Sequence, residues 1–287
     1  MREKVAIVTA GGSGMGAAAA RRLAADGLQV AILSSSGKGE ALAKELGGLG
    51  VTGSNQSVDD LKRLVDRTME RWGRVDVLVN SAGHGPRAGI LEITDEQWHA
   101  GLDTYLMNVI RATRLVAPIM QAQKYGRIVM TTSSTGLYGN FGQTNYGAAK
   151  LALVGLMQTL GLEGEKHGIR VNCLAPTAAT RMTQDLMPQS VLDALGPEAV
   201  VPAMLVLASE GAPTRTILCA GAGSVEAAHI TLTQGAWIGL DAQAPERLAK
   251  VLSDVTDRED EIVPENGSAQ GAHELARALA NTDKTAA

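Results

Sequence analysis

The sequence predicts an α/β fold in which helices cover both faces of a doubly wound parallel sheet. Short runs rich in β-branched residues alternate with runs rich in Ala and Leu, and this alternation is typical of parallel strands joined by crossover helices. A ligand is expected where the carboxyl ends of these strands meet. The clearest strand runs are 5–8, 29–33, 75–79, 127–132, 169–174 and 215–220.

A glycine-rich turn directly after the first strand makes this a Rossmann-type fold. Residues 9–16 read TAGGSGMG, and such glycines let backbone N–H groups at the start of the next helix approach a pyrophosphate. The same residues would also suit a tight turn without a ligand. The expected cofactor contacts in this turn are Gly11, Ser13, Gly14, Met15 and Gly16.

Length and composition indicate a single domain with a C-terminal extension. The 287 residues are divided here into a nucleotide-binding catalytic domain, 1–240, and a charged, partly helical extension, 241–287. A net charge of −4 and a pI of about 5.8 show no basic excess, so nucleic acid and anionic membranes are not expected partners. We expect no membrane span, because no apolar run approaches the necessary length, and the first strand begins too early for a signal peptide.

The cysteines and histidines predict neither a disulfide nor a metal site. Cys173 and Cys219 both lie in apolar, strand-like runs, which favours buried thiols. Thiols of this kind suit a reducing compartment, so a cytoplasmic location is expected. The five histidines show no ligand spacing, and a metal would need such a cluster.

The segment 133–150 carries a hydroxyl, a phenol and an ammonium at spacings that suit hydride transfer at a carbonyl carbon. Tyr146 and Lys150 are four residues apart in a helical run, so their side chains share one face. The ammonium would favour the ionised phenol, which could then exchange a proton with a substrate oxygen. Ser133 follows the strand run 127–132 and would hold that oxygen by a hydrogen bond. Taken alone, the Tyr–Lys pair would equally suit a solvated helix surface.

The chain resembles the short-chain dehydrogenase/reductase family in the order of its motifs, which are the glycine-rich turn, Ser133, Tyr146 and Lys150. In that family the catalytic Ser precedes the Tyr by thirteen residues, as Ser133 precedes Tyr146 here. The resemblance extends from residue 4 to about residue 239. It implies an NAD(P)-dependent enzyme with Tyr146 as acid–base, Lys150 as ribose ligand and Ser133 as carbonyl ligand. It also implies further cofactor contacts at Asn55, Gln56, Asn80, Ala82, Gly83, Pro176 and Thr180.

Two positions depart from the family pattern. Ala10 stands where the family has Gly, which predicts a slightly altered cofactor affinity. Tyr105 stands at the position of the family's proton-relay Asn, and Asn108 lies one helical turn later. Either Asn108 rebuilds the relay through water, as a further catalytic residue, or Tyr105 fills the space.

The end of the second strand bears on the choice of cofactor. Sites of this type that bind NAD place a carboxylate there for the ribose 2′-hydroxyl. This chain has hydroxyls and an ammonium instead, at Ser34, Ser35, Ser36 and Lys38. Such groups suit a 2′-phosphate, so NADP is the expected cofactor and NAD the alternative. Ordinary helix-entry residues would look similar.

The two halves of the chain resemble different members of the family. Residues 123–239 resemble the (3R)-hydroxyacyl-CoA dehydrogenase unit of multifunctional β-oxidation enzymes, and residues 1–120 resemble bacterial 3-oxoacyl reductases. A divergent natural chain and a recombined chain would both give this pattern. Together the halves imply a 3-hydroxyacyl or 3-oxoacyl thioester substrate, covered by an apolar helical flap at 182–195. Arg87 or Arg181 would meet a coenzyme A phosphate.

Other functions and the assembly state stay open at this point. A hydroxysteroid or sugar-alcohol dehydrogenase is the alternative enzyme, and a cofactor-binding protein without turnover is the alternative from another class.

The helical run 146–163 has small and apolar residues on more than one face. One face can cover the sheet and another needs a second partner, which predicts a homotetramer or homodimer.

Overall fold

A computed structural model of the chain describes residues 3–81, 85–179 and 188–285. The chain divides into two compact units, Met1–Ala228 and His229–Ala287. This division falls before the boundary at 240 that the sequence suggested.

The first unit is built on an eight-stranded sheet with the strand order β3-β2-β1-β4-β5-β6-β7-β8. All neighbouring pairs are parallel except the last, β7 with β8, which is antiparallel. The chain order reverses between β1 and β4, which is the switch point where such sheets bind ligands. The strands are β1 Val5–Thr9, β2 Gln29–Ser34, β3 Leu49–Thr52, β4 Val77–Asn80, β5 Gly126–Thr131, β6 Ile169–Pro176, β7 Ile217–Gly221 and β8 Ser224–Ala228.

Helices cover both faces of this sheet, as predicted. Alternate residues of β1 enter different core clusters, with Ile7 on one side and Ala6 and Val8 on the other. Both clusters are apolar and buried, so the parallel strands have no solvent-facing side. The helices of this unit are α1 Gly14–Ala25, α2 Lys38–Glu45, α3 Val58–Trp72, α4 Asp95–Leu102, α5 Asn108–Gln123, α6 Ser134–Tyr138, α7 Thr144–Glu165, α8 Gln189–Ala194 and α9 Val201–Ala208.

The helical stretch that begins with α4 and ends with α5 is interrupted. A five-residue π-helix, Asp103–Met107, separates α4 from α5. Insertions of this type widen a helix by one residue per turn and are frequent at functional sites. Here the widened turn carries Tyr105 inward, where its side chain is fully buried.

One stretch, Gln189–Ala208, is long and apolar enough to cross a membrane by length and composition, with a hydropathy of 1.7 and 33% of it buried. This corrects the expectation that no run reaches that length. The stretch is not one continuous helix, because the 3-10 turn Pro197–Val200 separates α8 from α9. Residues of α9 such as Met204 and Leu207 pack into the core beside the sheet.

The second unit is mainly helical. It contains α10 Ala244–Lys250, α11 Leu252–Val255 and α12 Gly267–Thr285, and the sequence predicted a partly helical extension here. An isolated antiparallel bridge joins Leu232 to Ile262. Arg247 donates from Nε to the carbonyl oxygen of Ile238 at 2.6 Å, so the start of this unit is held to its first helix.

The glycine-rich turn places Ala10 in a left-handed backbone conformation. Ala10 has a φ of +53°, a region in which a Cβ crowds the following carbonyl oxygen and costs about 1–2 kcal/mol. The turn is fixed on either side of this residue. Gly11 donates its N–H to Leu33 O at 3.0 Å, and a Cβ on Gly16 would lie 2.7 Å from Ala10 O. The strain is therefore held by the surrounding structure.

We predict that Ala10→Gly stabilises the first unit by about 0.5–1 kcal/mol. Glycine removes the left-handed strain, and its greater freedom in the unfolded chain offsets part of that gain. Urea unfolding followed by Trp fluorescence measures the change. Ala18→Gly, inside α1, is the matched control and should destabilise by about 1 kcal/mol. Equal destabilisation by both substitutions would contradict the strain at Ala10.

Candidate active site

The three residues predicted to carry the reaction lie where β5 and α7 meet at the carboxyl edge of the sheet. Ser133 follows β5 and is the N-cap of α6, while Tyr146 and Lys150 lie on successive turns of α7. The Lys150 Nζ is 5.7 Å from the centroid of the Tyr146 ring. Helices α6 and α7 are closely packed, since a Cβ on Gly136 would lie 2.8 Å from the Lys150 Cβ.

The Ser133 hydroxyl is oriented by the start of α6. Its Oγ accepts a hydrogen bond from the N–H of Thr135 at 3.2 Å, which satisfies one of the free N–H groups of the first turn. Because the oxygen serves as acceptor in this bond, its O–H proton stays available for donation. Ser133 therefore combines a fixed oxygen with a free donor.

Lys150 is buried, with only 1% of the residue exposed. Its Nζ donates to the carbonyl oxygen of Thr131 at 2.7 Å, at the end of β5. Burial is the main cause that lowers the pKa of Lys150 to about 7; the nearby Cys173 opposes this and Arg87 adds to it. The same burial raises the pKa of the Cys173 thiol to about 12, so that thiol is neutral at physiological pH.

Tyr105 lies beside Tyr146 and fills the space there, which was one of the two alternatives for this position. The two rings meet edge to face, with centroids 4.8 Å apart and an angle of 81° between the ring planes. The Tyr105 hydroxyl donates to Gly85 O at 2.5 Å and accepts from Gly85 N at 2.8 Å. Tyr105 is thus bound to the loop that follows β4.

Asn108 is buried at the start of α5. Its Oδ1 accepts from the N–H of Val109 at 2.6 Å, and no hydrogen bond in the described ranges joins it to Lys150. Its role as a relay residue stays a prediction.

Arg87 lies against the ring of Tyr146, a contact that the sequence did not predict. Its guanidinium carbon is 4.0 Å from the centroid of the Tyr146 ring and 5.9 Å from that of Tyr105. Its Nε donates to the Tyr105 hydroxyl at 3.4 Å. Arg87 was expected to meet a coenzyme A phosphate, and the structure places its guanidinium beside the ring of the candidate proton-transfer residue.

The N-terminus of α1 has the features of a pyrophosphate site. Its N-cap, Ser13, makes no side-chain capping bond, whereas Ser57 caps α3 and Thr94 caps α4. Gly14 has a φ of +53°, and a Cβ there would meet nothing within 4 Å. The first N–H groups of α1 are thus left for a ligand, and the residues present fit a dinucleotide.

Other predicted cofactor residues differ in exposure. Asn80 is buried at the end of β4, and its Nδ2 has no hydrogen-bond partner among the described residues. Met15 packs against the core cluster on one face of the sheet. Pro176 is the last residue of β6. Gly11 packs tightly, since a Cβ there would lie 2.9 Å from the Ile32 side chain.

The serines after β2 do not form one uniform surface. Ser34 is buried, and a Cβ on Gly12 would lie within 2.3 Å of its Oγ, so Ser34 packs against the glycine-rich turn. Ser35, Ser36 and Lys38 are exposed at the start of α2. These three side chains remain open to a ligand.

Two further predicted residues lie after β3. Asn55 is half-buried, and Gln56 donates from Nε2 to Thr104 Oγ1 at 2.6 Å. The Gln56 side chain therefore contacts the π-helix. The predicted residues Ala82, Gly83 and Thr180, the cation Arg181 and the flap segment 182–187 lie outside the described residues.

Similar proteins identify the family of this chain. The family described as short chain dehydrogenase matches residues 4–190. A 3-oxoacyl-[acyl-carrier-protein] reductase of Synechocystis is 36% identical over 197 residues, which are 66% of this chain and 80% of that protein. The peroxisomal hydratase-dehydrogenase-epimerase of Saccharomyces cerevisiae is 36% identical over 222 residues, 73% of this chain.

A solved structure resembles nearly the whole chain. The full-length peroxisomal multifunctional enzyme type 2 of Drosophila melanogaster superposes with a TM-score of 0.81 and 28% identity over 98% of this chain, but only 50% of that protein. The chain likewise spans 25% of the yeast relative. The multifunctional relatives are therefore much longer than this chain. The extent of the family match, on the sheet described above, shows that the chain belongs to the short-chain dehydrogenase/reductase family and is an NAD(P)-dependent oxidoreductase.

Proposed function

We propose that this enzyme interconverts a 3-hydroxyacyl thioester and the corresponding 3-oxoacyl thioester, with NADP as its cofactor. The observation that carries the proposal is the placement of Tyr146 and the buried Lys150 on successive turns of α7, beside Ser133. This trio lies at the same edge of the sheet as the uncapped N-terminus of α1. The substrate class is supported by the similarity to a 3-oxoacyl-[acyl-carrier-protein] reductase.

The side chains divide the reaction between them. When bound, the nicotinamide would supply or accept the hydride at C3. The Ser133 hydroxyl would donate a hydrogen bond to the substrate oxygen and hold that oxygen in place. In reduction Tyr146 gives its phenolic proton to that oxygen as the carbon gains the hydride, and in oxidation the phenolate takes the proton back. The Lys150 ammonium favours the phenolate and offers donors to ribose hydroxyls.

The cofactor would be held by the glycine-rich turn and the start of α2. Backbone N–H groups at Gly14 to Gly16 would bind the pyrophosphate. The exposed Ser35, Ser36 and Lys38 supply a cation and hydroxyl donors for a 2′-phosphate, which favours NADP over NAD.

The proposed substrate class is supported more by the similarity to a 3-oxoacyl-[acyl-carrier-protein] reductase than by the described residues of the substrate site. The flap 182–187 that would contact an acyl chain lies outside the described residues, and Arg87 is engaged with Tyr146. A hydroxysteroid is the nearest alternative substrate. A sugar alcohol would need several polar groups converging on its hydroxyls.

A homo-oligomer, either a dimer or a tetramer, is also proposed. The outer face of α7 is exposed and made of small or apolar residues, with Leu151 and Leu162 at 46% and 42% exposure. A face of this kind is suited to a second copy of the chain. The two free thiols support a reducing compartment such as the cytoplasm, although the names of several relatives describe peroxisomal proteins.

Tyr146→Phe should lower the rate of acetoacetyl-CoA reduction by NADPH at least about 1,000-fold, because general acid catalysis contributes factors of this order. NADPH affinity should change less than about threefold, since the ring remains. Stopped-flow absorbance and fluorescence titration measure the two quantities. Tyr125→Phe is the matched control, because its hydroxyl contacts Lys4 and not the site. If Tyr146→Phe retains more than a tenth of the wild-type activity, Tyr146 is not the proton-transfer residue of the reaction.

NADPH should bind at least about tenfold more tightly than NADH, because charge-assisted hydrogen bonds to a phosphate contribute roughly 1.5–3 kcal/mol. Lys38→Ala should weaken NADPH binding by a similar factor and leave NADH binding unchanged. Calorimetric titration of both variants with both cofactors checks this. Lys44→Ala, in the last turn of the same helix, controls for a general loss of positive charge. Equal affinities in the wild-type enzyme would show that the serines merely complete a turn.

A further inference from the structure

Two aromatic rings and two cations form one compact cluster around the candidate proton-transfer group. The Arg87 guanidinium lies 4.0 Å from the Tyr146 centroid. The Lys150 Nζ lies 5.7 Å from the centroids of both Tyr105 and Tyr146. A cation within about 6 Å of a ring face is attracted to it, and attraction to an ionised phenol is stronger because that phenol carries a full charge. Tyr146 thus meets two positive charges from different parts of the chain.

The position of Arg87 is fixed residue by residue. Gly85 exchanges two hydrogen bonds with the Tyr105 hydroxyl, at 2.5 and 2.8 Å. Pro86 accepts from Asn145 Nδ2 at 2.9 Å, and Asn145 is completely buried in the first turn of α7. Ala88 O accepts from the Thr144 N–H at 3.1 Å. The segment 85–88 is therefore held by the π-helix on one side and by the helix of Tyr146 on the other.

The guanidinium of Arg87 has no ion-pair partner among the residues that the structure describes. The described titratable groups that face the cluster are Tyr105 from the π-helix, Lys150 from α7 and, behind Lys150, the neutral Cys173 from β6. Because no described carboxylate neutralises it, the Arg87 guanidinium retains its electric field at the Tyr146 ring, and its exposure to solvent limits the strength of that field.

We propose that Arg87 is a second cation that promotes ionisation of Tyr146, and that Tyr105 and Asn145 are positioning residues that hold it there. The proposal rests on the proton-transfer role proposed above for Tyr146. Tyr105, which stands at the position of the family's relay Asn, would then anchor a cation beside Tyr146. The consequence is a specific pH dependence that a purely structural role would not produce.

The kinetic test follows oxidation of 3-hydroxybutyryl-CoA by NADP⁺ from pH 6 to 10. In this direction the rate rises with pH as Tyr146 ionises. Arg87→Gln should move the midpoint of kcat/KM upward by about 0.5–1 pH unit, which lowers the rate at pH 7 by about three- to tenfold. The two profiles should converge at high pH. Arg87→Lys, which keeps the charge, should move the midpoint less, and Tyr105→Phe should move it in the same direction as Arg87→Gln.

Arg114→Gln, on the exposed side of α5, is the matched control and should leave the profile unchanged. An unmoved midpoint in Arg87→Gln would overturn the proposal. If the midpoint is unmoved and KM for the thioester rises more than about fivefold, Arg87 is instead a ligand for the coenzyme A phosphates.

A second readout needs no turnover and so separates this proposal from the proposed function. The ionised phenol absorbs in the ultraviolet, and subtracting the titration of Tyr146→Phe from that of the wild-type protein isolates Tyr146. The same subtraction in an Arg87→Gln background should give a midpoint higher by about 0.5–1 pH unit. Equal midpoints in the two backgrounds would overturn the role of Arg87 even if the enzyme turns over its substrate as proposed.

Discussion

The hydrogen bond from the buried Lys150 ammonium to the Thr131 carbonyl oxygen is the interaction on which the site depends. It joins the end of β5 to α7 at 2.7 Å and fixes the ammonium beneath two aromatic rings. A buried ammonium has three donors to satisfy, and this carbonyl is the acceptor that the described residues provide. Burial accordingly lowers the pKa of Lys150 to about 7. A ligand with hydroxyl oxygens would restore the missing acceptors and favour the charged form.

The proposed pyrophosphate site at the start of α1 lies at the same edge of the sheet as the Lys150 ammonium. The uncapped start of α1 follows β1, Asn80 ends β4, and Thr131 ends β5. These three strands are neighbours in the sheet. Parallel strands place their carboxyl ends at one edge, so a pyrophosphate site and a proton-transfer site become adjacent without any dedicated connection. The strain at Ala10 is a local cost of building that edge.

Patterns within single segments predicted most of the fold. The parallel strands are visible in the sequence as runs of β-branched residues. Tyr146 and Lys150 are four residues apart, so they share one helix face independently of the residues that pack around them. Strand β8 was missed because its SVEAA sequence is exposed and has little apolar character. It is joined to β7 by a tight turn in which Ala222 and Gly223 both have positive φ, and Ala-Gly is a weak hairpin signal.

Contacts between distant segments could not be predicted in the same way. The sequence left Tyr105 with two possible roles, and only packing shows that its ring meets Tyr146. The position of Arg87 depends on Tyr105 and on Asn145, which are far from it in the chain. The burial of Ser34 likewise depends on the absence of a Cβ at Gly12.

The most direct test of this account is the pH dependence of NADPH binding to the wild-type enzyme and to Lys150→Met. Lys150 has a pKa of about 7 in the protein without cofactor. If bound NADPH raises this pKa, NADPH binds preferentially to the protein with protonated Lys150. The affinity for NADPH then falls as pH rises above 7. We predict a loss of about tenfold between pH 7.5 and 9 in the wild-type enzyme, where the 2′-phosphate is already ionised. Lys150→Met should bind more weakly and with no such slope. The same slope in both proteins, or undiminished affinity in the variant, would contradict the central role of the Lys150 ammonium.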